Sequence, residues 1–192
     1  NTGLDAPEYR EKHGMKTHHI ELSTIHESQR SKDWVTEYEE IVTSTNTMSY
    51  EDWRYCCKFS WMTMFLHSMK AGFFVLSWLW DRYQIPPSEF ISYLLDHPRG
   101  AFGEESDAYE EVLDSMAAGK HRGTILPRYG NTYWDVDEAS LLRRSEDWEA
   151  FYRDMTARLV EFLRFESKNP NAVELYEVIR YQQHRMPFVG QE

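Results

Sequence analysis

Between Trp53 and Trp80 the chain carries apolar residues around nearly the whole circumference of a helix. Trp53, Tyr55, Cys56, Cys57, Phe59, Trp61, Met62, Met64, Phe65, Leu66 and Met69 occupy every face. A helix that is apolar all round is expected to be buried. Gly72 interrupts the run, and Phe73-Phe74-Val75-Leu76-Ser77-Trp78-Leu79-Trp80 follows. A membrane hairpin is the obvious alternative. Lys58, His67 and Lys70 break the stretch, and the uncharged run after Lys70 is only about half of the ~20 residues that a span requires. The pattern predicts the buried central helical hairpin of a water-exposed domain.

The flanks predict more helices. Ser49 is a candidate N-cap, with Glu51 and Asp52 in the first turn where the macrodipole favours acids. Pro86-Pro87-Ser88 opens a short helix to about Asp96, and an acidic helix spans Glu104 to Ala118. Residues 120–133 read as irregular, with Gly123, Pro127, Gly130 and Asn131 as turn signals. A short helix follows Asp137. Ser145 is the expected cap of a long helix, roughly residues 146–166, whose Trp148, Phe151, Tyr152, Met155, Leu159, Phe162 and Leu163 keep helical spacing. Asn169-Pro170 begins the last helix, and Pro187 ends it.

Residues 1–48 differ in character. Asp5 is a candidate cap for a short helix with Pro7 in its first turn, and Gly14 is its stop. Residues 16–22 read as a short strand, and residues 40–48, rich in β-branched side chains, as a second extended segment. Two strands alone are marginal in water, so this arm is expected to pair or pack with another body. The fold class is therefore mainly α: an irregular helical domain over 49–192, about six or seven helices in all, with a short N-terminal extended or β arm over 1–48.

Charge narrows the function. The chain has 32 acidic and 21 basic residues, a net charge of −11. Nucleic-acid surfaces need a basic stripe that displaces counterions, and anionic membranes repel such a chain. Neither nucleic acid nor membrane is expected as a partner. The two cysteines, Cys56 and Cys57, are adjacent. They point in different directions on a helix, so no disulfide framework is expected, and a cytoplasmic location is. Both are expected to be buried. The sequence has no G-x-G-x-x-G, P-loop or G-x-S-x-G motif. A di-iron bundle needs Glu-x-x-His on two helices, and no histidine here has a glutamate three residues before it. His13, His18, His19 and His26 crowd the arm. Neighbours on a strand face opposite ways, so His18 and His19 cannot share one site. His67 reads as a core histidine, and Met62, Met64 and Met69 as core filling. The acid pairs Glu39/Glu40 and Glu110/Glu111 read as solvated. No catalytic, cofactor-binding or metal-binding residue is assigned from these patterns.

Three blocks carry a family resemblance. They are Asp5-Ala6-Pro7-Glu8-Tyr9 with Gly14-Met15-Lys16-Thr17; residues 38–53, Tyr38-Glu39-Glu40-Ile41-Val42-Thr43-Ser44-Thr45-Asn46-Thr47-Met48-Ser49-Tyr50-Glu51-Asp52-Trp53; and Val178-Ile179-Arg180-Tyr181-Gln182-Gln183-His184-Arg185-Met186-Pro187. In this order they resemble the C-terminal region of B12-binding-domain-containing radical SAM proteins. The resemblance implies a preceding radical SAM barrel and cobalamin-binding domain in the same polypeptide. It also implies a parent enzyme with a 4Fe-4S cluster, S-adenosylmethionine and cobalamin, often a methyltransferase. The Cys-x-x-x-Cys-x-x-Cys and Asp-x-His-x-x-Gly signatures of those cofactors are not in this sequence, so the cofactors are expected outside it. A chain opening Asn1-Thr2-Gly3 is expected to be part of a longer product. Its expected role is an accessory domain that packs beside the barrel and helps to enclose the active site. Two readings compete: a stand-alone protein- or peptide-binding module with an apolar groove beside Phe73–Trp80, and a metal or haem bundle using His67 or the N-terminal histidines.

Overall fold

The computed structural model describes residues 6–22 and 33–186, together with Gly3 and His26. The fold is mainly α with a short N-terminal strand pair. Its elements are α1 (Pro7–His13), β1 (Lys16–Glu21), β2 (Tyr38–Ser44), α2 (Tyr50–Thr63), a π-helical turn (Met64–Ser68), α3 (Phe73–Tyr83), α4 (Pro87–Asp96) and α5 (Gly100–Ala117). They continue as β3 (Thr124–Ile125), a 3-10 turn (Pro127–Tyr129), β4 (Tyr133–Trp134), α6 (Val136–Ser145), α7 (Trp148–Phe165) and α8 (Ala172–His184). The chain divides into two compact units, Asn1–Lys58 with Ala108–Val136, and Phe59–Asp107 with Asp137–Glu192. The division expected after residue 48 falls inside the first unit: residues 49–58 group with the arm.

In the first unit, Pro7 starts α1, where its missing N–H costs nothing. The cap position is Ala6, without a side-chain hydrogen bond; Asp5, the expected cap, lies outside the described residues. Gly14 ends the helix at φ +57°. A Cβ there would meet Asn46 Oδ1 at 2.0 Å, because Asn46 N–H and Nδ2 close on the carbonyls of His13 and Lys12. The arm's extended segments were expected to lack partners in this chain. They pair with each other instead, antiparallel from Lys16↔Ser44 to Glu21↔Tyr38. Ile20, Thr43 and Ser44 are its buried positions. Among the described residues the pair is two-stranded, and the outer edge of each strand has no partner strand there. Residues 120–135, read as irregular, contain a second small pair, β3–β4.

Ser49 caps α2 as its sequence position predicts. Its Oγ accepts from the Asp52 N–H at 3.0 Å while the Asp52 carboxylate accepts from the Ser49 N–H at 2.9 Å, a reciprocal pair that satisfies two otherwise orphaned donors. Glu110 is not a merely solvated acid: Arg54 and Lys58 both hydrogen-bond to it, and Arg54 also reaches Asp114 at 2.9 Å. Glu40 is likewise held by a bidentate Arg10 at 2.8 and 2.6 Å and by the Thr17 hydroxyl at 2.6 Å.

The second unit holds the larger core, with Phe65, Phe90, Phe102, Phe151 and Phe162 all buried. The apolar stripe of α7 is buried residue for residue as its spacing predicts. Its cap is Asp147, which accepts from the Ala150 N–H at 2.8 Å. Ser145, the expected cap, closes α6 instead by donating to the Leu142 carbonyl at 2.7 Å. Asn171 caps α8, so that helix starts two residues beyond Asn169-Pro170. Helix α5 begins at Gly100, ahead of the expected Glu104. The N–H of Ala101, in its first turn, finds an acceptor far along the chain, Asp154 of α7, at 2.5 Å.

Two buried polar clusters fix the helices. Glu105 of α5 is fully buried. It accepts from Ser140 at 2.6 Å, Arg143 at 2.5 Å and Arg144 at 2.6 Å, all on α6. Gln182 of α8, also fully buried, accepts from the Phe74 N–H at 2.9 Å and donates to the Lys70 carbonyl at 2.6 Å. Beside it the Tyr152 hydroxyl donates to the Ala71 carbonyl at 2.9 Å.

The central hairpin is buried on one side only. Met62, Phe65 and Leu66 are buried, as are Val75, Leu76 and Leu79 of α3. The apolar-all-round pattern overstated the burial of α2. Cys56, Ser60, Met64 and His67 are exposed, and Trp53, Cys57 and Trp61 are half-buried. Cys56, Ser60 and Met64 lie one turn apart on one stripe, which the other described elements leave exposed.

Two predictions follow from the polar clusters. Gln182→Leu leaves the Phe74 N–H and Lys70 carbonyl, both part-buried, without their side-chain partner and should cost about 2 kcal/mol or more in chemical denaturation, at roughly 1 or more for each group. Glu105→Gln should cost about 3–5 kcal/mol, because two arginines lose their buried counter-charge. Burial alone would raise the Glu105 pKa, but Arg143, then Arg144 and Ser140, outweigh it and hold the carboxyl below its ordinary value. A depressed pKa stabilises the fold above the unfolded-state value of ~4.3 and loses that contribution as pH falls through the folded value. Acid titration of stability should therefore be flatter in Glu105→Gln than in the wild type.

Candidate functional site

The histidines of the arm do not converge. His18 Nδ1 lies 2.8 Å from Thr43 Oγ1, and the ring stacks on Tyr50 at 5.7 Å. His19 is on the opposite, exposed face of β1. His13 packs against Tyr9 at 4.3 Å and His26 against Trp134 at 5.1 Å. His67, expected in the core, is exposed beside Phe73. Among the described residues no three His, Cys, Asp or Glu side chains gather closely enough to hold a metal ion.

The cysteines also depart from expectation. Cys56 is exposed and Cys57 half-buried, because α2 buries only the face carrying Met62. Burial, then the neighbouring Cys56, pushes the Cys57 thiol up to about 11. Two adjacent cysteines splayed by a helix do not fit a 4Fe-4S cluster, which requires several convergent thiolates. The described residues therefore offer no cradle for the iron–sulfur cluster that the family resemblance implies.

One concave feature stands out. Helices α3 and α8 diverge to leave an open groove of about 700 Å³. Its floor comes from Phe74 and Trp78 on α3 and from Val178 and Tyr181 on α8, each pair one helical turn apart. The Phe74 and Tyr181 rings meet edge to face at 4.8 Å. Gln182, one residue beyond Tyr181, locks α8 to the first turn of α3. Toward the other end the Arg82 guanidinium crosses to Glu174 at 2.8 Å. Asp81 and Glu177 also border the groove. The Ser77 hydroxyl donates to the Phe73 carbonyl at 2.9 Å, so it is engaged with its own helix. The lining offers shape and charge rather than an activated nucleophile among its described residues.

The sequence pointed to an apolar groove beside Phe73–Trp80 but not to its second wall. The signal was available: Glu174, Glu177, Val178 and Tyr181 repeat at helical spacing on α8. What the sequence could not supply is the pairing of α8 with α3, which depends on Gln182 meeting a backbone more than a hundred residues away.

No protein-family model matches this chain, and no curated protein aligns with it. Among the described residues no helix is long and apolar enough to cross a membrane.

The raised Cys57 thiol has a measurable consequence. Its alkylation by iodoacetamide, followed by peptide mass spectrometry at fixed times, should still be climbing well above the ordinary thiol range of ~8.5. A plateau within that range would contradict the burial described here.

Proposed function

We propose that this chain is an accessory helical part of a cobalamin-dependent radical SAM enzyme, lying against the barrel and helping to enclose the active site. One observation supports it most: Cys56, Ser60 and Met64, one turn apart along α2 and into the π-helical turn, are exposed among the described residues. Long apolar helices rarely face water without a partner. The strand pair adds to the same reading. At the end where the Leu22 N–H meets the Glu37 carbonyl, Trp34 (59%), Val35 (86%) and Tyr38 (59%) are exposed. Each strand there also offers an edge, unpaired among the described residues, to a neighbouring sheet.

Of the residue blocks that carry the family resemblance, 38–53 builds β2 and the start of α2, and 178–184 lies on α8, where Gln182 meets the start of α3. In the proposed role the chain contributes packing and solvent exclusion. Keeping water out protects a reactive intermediate from side reactions. The iron–sulfur cluster, S-adenosylmethionine and cobalamin belong to the barrel and cobalamin-binding domains of the same polypeptide, and the location would be cytoplasmic.

The coding sequence upstream of Asn1 tests this directly. It should encode a Cys-x-x-x-Cys-x-x-Cys motif and, before it, an Asp-x-His-x-x-Gly signature; a reading frame that opens within a few codons of Asn1 sinks the proposal. In the complete enzyme, Met64→Glu should raise S-adenosylmethionine cleavage uncoupled from product. The same substitution in the 192-residue chain should change stability by no more than about 0.5 kcal/mol, as at any exposed site.

A further inference from the structure

We infer that the groove between α3 and α8 is a docking site for a polypeptide segment that presents lysine or arginine beside an apolar anchor. Shape is the first argument. The groove is an open trough running between two helices. Small-molecule sites enclose most of their ligand, whereas troughs lined at one-turn intervals along both walls suit a chain laid lengthwise.

Charge and aromatic chemistry select the occupant. Arg82, the groove's basic residue, is already neutralised by Glu174 at 2.8 Å. Asp81 and Glu177 have no ion-pair partner among the described residues, so the lining carries two unpaired carboxylates against one nearby unpaired guanidinium, that of Arg185. The rings of Phe74, Trp78 and Tyr181 line the same groove. Aromatic faces attract cations, and more strongly when the cation is partly desolvated. Tyr181 already holds the Arg185 guanidinium 4.9 Å above its ring. An acidic segment would meet like charge at the rim, which disfavours it strongly. Val178 and the Phe74 edge leave room for an apolar side chain beside the cation. The residues involved differ from the α2 stripe and the strand pair, so the inference stands or falls independently of the accessory-domain proposal.

The test is fluorescence anisotropy of a fluorescein-labelled, 14-residue leucine/lysine amphipathic helix titrated with the full chain at physiological salt. A leucine/glutamate peptide with the same apolar face is run in parallel. Micromolar binding of the lysine peptide, at least tenfold weaker binding of the glutamate peptide, and a threefold to tenfold loss in Asp81→Asn/Glu177→Gln support the site. Wild-type amide shifts on adding the lysine peptide should centre on Ser77, Val178 and Tyr181, which locates the contact without any variant. Three results overturn the inference. One is an equal loss in Glu111→Gln/Glu149→Gln, exposed acids outside the groove, since that reports net charge alone. Another is shifts centred elsewhere. The third is hexylamine binding as tightly as the peptide, which would make the groove a small-amine site.

Discussion

Gln182 closes a gap that no local residue can close. The chain leaves the π-helical turn through Lys70 at φ +68° and enters α3 at Gly72 without a side-chain cap. That turn is buried at Ala71 and Gly72, while Lys70 is exposed and Phe74 half-buried; the Lys70 and Ala71 carbonyls and the Phe74 N–H each take a side-chain partner. Each such group left alone costs about 1–3 kcal/mol. The side-chain amide of Gln182 serves two of them at once, and the Tyr152 hydroxyl serves a third. Helices α3, α7 and α8 therefore meet in one register around a single turn. The groove is a consequence of that register: with α8 fixed at Gln182, the adjacent Tyr181 and, one turn back, Val178 line it together with Phe74 and Trp78.

Much of the fold was legible because helical spacing is a local signal. The stripe of α7, the capping pair Ser49–Asp52 and the stop at Gly14 can each be read within a few residues. The misreadings share a different cause. Helix α5 starts before its own sequence suggests because its capping carboxylate, Asp154, lies on α7. Glu40 and Glu110 read as solvated because Arg10, Arg54 and Lys58 are dozens of residues away. The strands of the arm read as partnerless because pairing across an intervening loop leaves no mark in either segment. Of the groove, one wall was visible and the other was not, since nothing local joins residue 74 to residue 182.

The case of α2 is different in kind. Its composition asks for burial on every side, and the described elements supply cover on one. Local preference and tertiary environment normally agree in a folded domain. Here they disagree along one stripe, Cys56, Ser60 and Met64. The π-helical turn marks where this tension ends. Met69 N–H reaches back five residues to Met64 and Gly72 N–H six residues to Leu66, widening the helix just before it turns into the buried clamp. Such turns add a residue without breaking the backbone ladder, and they recur at functional positions.

The two surfaces ask for different things, and that distinction constrains the biology. The exposed α2 stripe is uncharged, with cysteine, serine and methionine side chains, and suits a dry contact. The α3–α8 groove sets aromatic rings beside free carboxylates, and suits a contact whose strength depends on salt and on the charge of what arrives. A molecule carrying both can be held in place by one face while the other remains able to exchange its occupant. That arrangement is compatible with an accessory element beside a catalytic barrel, because anchoring there need not consume the surface that recognises a second segment.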